Sequence, residues 1–85
     1  MHKLIVTLTN HPSALEKNIF DGNKVFEIFV EDPTNHEEIL NKAEPKATEL
    51  RGDSKEAIRM EVADESGAIL ISGTVKDGFN GVIMS

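Results

Sequence analysis

Apolar residues recur at every second position through most of this chain, and that spacing restricts it to a fold built on a sheet. In KLIVTLT (3–9), Leu4, Val6 and Leu8 fall on one side of an extended strand, with Ile5 and Thr7 on the other. EAIRMEVAD (56–64) repeats the pattern with Ile58, Met60 and Val62, leaving Arg59 and Glu61 for water. ESG (65–67) supplies a turn and AILISGTVKD (68–77) the returning arm. Gly73 inside that arm signals a bulge or a close backbone approach. KVFEIFVE (24–31) differs: Val25, Phe26, Ile28, Phe29 and Val30 form a nearly continuous apolar run broken only by Glu27. Such a run suits a strand covered on both faces, so this segment is expected in the middle of the sheet. GFNG (78–81) reads as a further turn and VIMS (82–85) as a short final edge.

One segment changes period. Ile39, Ala43, Ala47 and Leu50 stand at helical spacing with Leu40 beside them, and the positions between are polar. Asp32 is the expected cap, Pro33 the first helical residue, and Thr34 with Glu37 a capping box. Pro45 lacks the amide hydrogen that a continuing helix needs. The helix is therefore expected from about 34 to 43, with a kink or a second short turn before Arg51 and Gly52 end it. Residues 15–20 can pair with 24–30 across Asp21-Gly22-Asn23, or form one helical turn after Ser13; the Asp-Gly pair favours the hairpin. The sum is an α+β fold, a single domain over 1–85. A mostly antiparallel sheet of three to five strands carries one helix, about 34–50, interrupted near Pro45.

Size and charge narrow the function. Eighty-five residues bury roughly 60–65% of the surface that the unfolded chain exposes, so the core is small. The net charge is −6, which opposes direct contact with a phosphate backbone and favours basic protein surfaces. With no cysteine in the chain, disulfides, thiolate zinc sites and thiol catalysis are excluded. No run approaches the ~20 apolar residues of a membrane span, and the opening MHKLIVTLTNHPSALE is too briefly apolar for a secretory signal. A cytoplasmic location is the expectation.

Each motif has a simpler structural account. His36-Glu37-Glu38 resembles the start of a zinc-hydrolase helix, but that chemistry needs a second histidine four residues on, where this chain has Leu40. RGDS (51–54) matches an adhesive tetrapeptide, yet Gly52 and Asp53 are ordinary turn formers after a helix. No serine lies in a nucleophile elbow and no glycine run forms a phosphate loop. The acids are more distinctive. From Glu27 to Glu38 there are five (Glu27, Glu31, Asp32, Glu37 and Glu38) and no Lys or Arg. No glycine lies among them and a proline does, so a calcium loop is a poor match. Carboxylates there also suit the positive end of a helix dipole.

What remains is a small acidic protein-binding module with no enzymatic site, metal or cofactor of its own. It is expected to act as an inhibitor or antagonist, occluding a basic surface of a partner protein. One such surface is a nucleic-acid-binding groove, where carboxylates would sit in place of phosphates. The expected contacts are Glu27, Glu31, Asp32, Glu37 and Glu38, with Phe79 either an apolar anchor or a plug at the sheet end. The alternative is a structural or assembly subunit that forms a homo-oligomer through the sheet edge at GVIMS (81–85).

Overall fold

The computed structural model describes residues 1–11, 22–52, 56–76 and 78–83. Those residues form β1 (His2–Asn10), β2 (Lys24–Val30), α1 (His36–Arg51), β3 (Ile58–Ala63), β4 (Ile69–Val75) and β5 (Phe79–Ile83). The strands make one antiparallel sheet in the order β2-β1-β3-β4-β5. The single helix covers one face of it. The α+β architecture read from the periodicity is therefore the observed one.

The alternation explains the core. Leu4, Val6 and Leu8 on β1 and Ile58, Met60 and Val62 on β3 are all buried on the helix side. Register places Val6 opposite Val62 and Leu8 opposite Met60, so the two inner rows coincide. Ile39, Ala43 and Ala47 of α1 are completely buried against them. The two alanines keep the helix backbone close to the sheet. Each fully buried Leu, Ile or Val contributes about 1.5–3 kcal/mol. Leu50, read as part of the apolar helix face, is instead 36% exposed at its end.

Three local expectations are corrected. First, β2 lies at an edge of the described sheet, not in its middle. Ile28 and Val30 are buried under the helix, but Val25 and Phe29 point the other way and are 61% and 48% exposed. Because the helix covers only one face, the central strands β1 and β3 can carry Thr7, Thr9 and Glu61 on the open face. An apolar run therefore did not report a central position. The hairpin expected from 15–20 lies outside the described residues.

Second, α1 starts at His36 and runs unbroken to Arg51, through Pro45. Asn35 is the cap, its side-chain oxygen accepting from the Glu38 amide at 3.1 Å. Asp32 serves the turn before it, accepting from the Thr34 amide at 2.9 Å and the Thr34 hydroxyl at 2.6 Å. Pro45 is tolerated because it lies on the solvent face, as does Asn41, whose carbonyl loses the amide donor at position 45. Gly52 closes the helix at φ 69° with its amide shared between Thr48 and Glu49 carbonyls, each at 3.2 Å.

Third, Gly78 alone of the expected GFNG turn is a turn residue, and the strand begins at Phe79. The register slip falls at Val62/Ala63, which face Ile71 and Ile69 and leave Leu70 as the extra residue. Gly73 is instead a place of close approach, pairing with Gly81. A Cβ on Gly81 would run into the Ser72 carbonyl oxygen and the Gly73 Cα.

Candidate functional site

The acidic junction is built around Glu38. Capped by Asn35, the first turn of α1 aims the Glu38 carboxylate back at the end of β2. There it accepts from the Glu31 amide at 3.0 Å and the Asp32 amide at 3.2 Å. Lys42, one turn on, stands 3.8 Å from the same carboxylate and also donates to the Phe29 carbonyl. These bonds hold strand end and helix start in one geometry. The Glu31 amide, then the Asp32 amide, keep the Glu38 carboxyl below the usual carboxylate range. The Thr34 hydroxyl and amide do the same for Asp32.

Of the six residues expected to meet a partner, three are exposed along the segment that joins β2 to the first turn of α1: Glu31, Asp32 and Glu37. Glu38 belongs to the same junction but is half-buried and committed to its own backbone. Glu27 lies apart on the open sheet face, 3.3 Å from Lys3. Phe79 lies on β5, at the opposite edge of the described sheet, half-buried against the core beside Val75.

Sequence reasoning missed a second feature at this end. A groove of about 490 Å³ is lined by Met1–Leu4, by Pro33 and Thr34, by the Asp64–Ser66 turn and by Leu70. Asp64 is held below its usual range by the Ser66 hydroxyl first and the Ala68 amide next. Glu65 is exposed, 3.9 Å from Lys3. The clue in the sequence was the turn DESG, but only the pairing of β3 beside β1 carries it to the strand start. A shallower recess of about 340 Å³ lies over Asn35, Glu37, Glu38, Asn41 and Lys42.

The remaining motifs resolve structurally. Arg51 of RGDS is half-buried, its Nη1 donating to the Lys76 carbonyl at 2.7 Å and more loosely to Val75 at 3.4 Å. It bolts the end of α1 to the end of β4, while Asp53 lies outside the described residues. Among the described residues, no three His, Asp or Glu side chains gather as a metal site would require. None of the described helices is long and apolar enough to cross a membrane. No protein-family model matches the chain, and no curated protein or solved structure shows significant similarity to it.

Proposed function

We propose that this protein is a small acidic binding module that docks onto a basic surface of another protein and occludes it. The observation that supports the reading is the junction between β2 and α1. Glu31, Asp32 and Glu37 are exposed there on a backbone fixed by Asn35 and Glu38. Carboxylates held on a fixed frame lose little conformational freedom on binding, and a net charge of −6 steers the encounter. The partner's surface is one that otherwise meets phosphates or acidic protein. The module occupies it as an antagonist and carries out no chemistry of its own.

The test combines capture with charge reversal. Partners captured from the native host are identified and their affinity measured against Glu31→Lys, Asp32→Lys and Glu37→Lys combined, with Glu49→Lys as a control on the exposed helix face. The triple variant is expected to bind roughly tenfold more weakly or worse, and the control within about twofold. Equal affinity for the triple variant would remove the junction from the interface. A second reading, assembly through a sheet edge, draws on β5, which has a neighbour only on its β4 side in the described sheet. It predicts an oligomer by light scattering that removal of 82–85 dissociates; a monomer at high concentration contradicts it.

A further inference from the structure

We infer that the groove beside the start of β1 binds an extended basic peptide segment as an added strand. A strand inside a sheet turns its backbone groups alternately to its two neighbours. Among the described residues, β1 has partners from His2 to Leu4 on β2 only: His2 faces Val30, Lys3 faces Phe29 and Leu4 faces Ile28. Its pairing with β3 stops at Ile5 and Ala63. There β3 leaves the sheet in a turn that satisfies itself, with the Asp64 amide donating to the Ala68 carbonyl at 3.0 Å. The Asp64 carboxylate accepts from the Ser66 and Ala68 amides. Among the described residues, the backbone groups that β1 turns toward the vacated side thus have no ladder partner, and the 490 Å³ groove is lined by this stretch.

The groove also defines its occupant. Leu70, Pro33 and the exposed Met1 give it an apolar lining, and its size lies within the range of binding clefts. Glu65 stands at the rim, 3.9 Å from a lysine that lies closer to Glu27, at 3.3 Å. Lys3 can therefore stay with Glu27 while Glu65 takes an incoming cation. An extended segment projects successive side chains to opposite sides. One that alternates aliphatic and Lys or Arg residues seats the first on Leu70 and Pro33 and offers the second to Glu65. The recognition is strand addition, in which main-chain bonds give affinity and alternate side chains give specificity.

This inference rests on the proposal that the partner is basic, and its test separates the two. Acetylated, amidated Val-Arg-Val-Arg is titrated into the ¹⁵N-labelled protein, followed by the same peptide N-methylated at its central amides. Amide shifts are expected at Lys3, Leu4, Glu65 and Ser66. N-methylation and, separately, Glu65→Lys are each expected to weaken binding roughly five- to tenfold. Equal binding of the N-methylated peptide, or shifts centred on Glu31 and Glu37, would overturn the added strand. The Glu31→Lys, Asp32→Lys, Glu37→Lys variant should still take the tetrapeptide. If the wild type does not bind it while that variant loses the whole partner, the groove is refuted and the junction stands. If the tetrapeptide seats in the groove while the variant keeps the whole partner, the junction is refuted and the groove stands.

Discussion

Replacing Pro45 by alanine should stabilise this protein. Proline inside a helix costs about 3 kcal/mol relative to alanine, through its missing donor and the clash of its ring with the preceding turn. Here Pro45 and Asn41, whose carbonyl cannot receive an amide proton from position 45, are both on the exposed face of α1. Alanine would restore that bond, worth about 0.5–1.5 kcal/mol, and remove the ring. It would also free the unfolded chain, which takes back about 0.4–1 kcal/mol. The bond and the ring together make up the ~3 kcal/mol, so taking back the unfolded-chain term caps the gain at roughly 2–2.6 kcal/mol. An exposed site that tolerates the ring should yield about 1–2 kcal/mol of it. For a domain of 85 residues each kcal/mol moves Tm by roughly 4–8 °C, so Pro45→Ala should melt roughly 4–16 °C higher. Far-UV circular dichroism is the suitable probe, because the chain has no Trp or Tyr for fluorescence. An unchanged or lower Tm would show that the packing of Ala43 and Ala47 depends on a proline-shaped bend, and the reasoning would fail.

Other perturbations test other parts of the fold. Ile71→Ala removes a fully buried side chain opposite Val62 and should cost about 2–5 kcal/mol; Thr7→Ala on the open face should stay within about 0.5 kcal/mol, and comparable losses in denaturant melts would contradict a one-sided core. Gly81→Ala forces a Cβ against the Ser72 carbonyl and the Gly73 Cα, so it should lower Tm by separating β5 from β4; a Tm equal to the wild type would show that the approach is looser than drawn. Acid should also destabilise the fold. Asp32, Glu38 and Asp64 have folded-state pKa values below the ordinary 3.8 for Asp and 4.5 for Glu. Their contribution is complete above those ordinary values and is lost as pH falls through the lower, folded ones. Tm should hold steady on their account down to about pH 5 and then decline, and Asp32→Asn, Glu38→Gln and Asp64→Asn together should flatten that decline; an equally steep fall in the triple variant would locate the acid sensitivity elsewhere.

The legible parts were those set by local periodicity. Leu4, Val6 and Leu8 alternate, as do Ile58, Met60 and Val62, and both rows lie under the helix. Ile39, Ala43 and Ala47 marked the buried face of α1 in advance. What depended on distant pairing was hidden. Strand order is not written in the apolar run at 25–30, so the position of β2 at an edge of the described sheet was missed. The cap was placed at Asp32, three positions early, because Asn35 is a capping residue type as well. Glu38 settles it by reaching back to Glu31 and Asp32. The break expected at Pro45 ignored what lies beyond it: continuing the helix buries Ala47 and delivers Arg51 to the carbonyls at the end of β4. The groove at the start of β1 needs β3 beside it, more than fifty residues away in sequence. No local pattern reports that.

Exposed carboxylates on a rigid junction should act through long-range attraction, and association kinetics read that attraction directly. The rate constant for binding the captured partner is measured by stopped flow at about 50 mM and about 500 mM sodium chloride, between which the screening length shortens severalfold. The account predicts a fall of roughly tenfold or more in the association rate. A rate that does not change with salt would contradict the claim that this protein works through its negative surface.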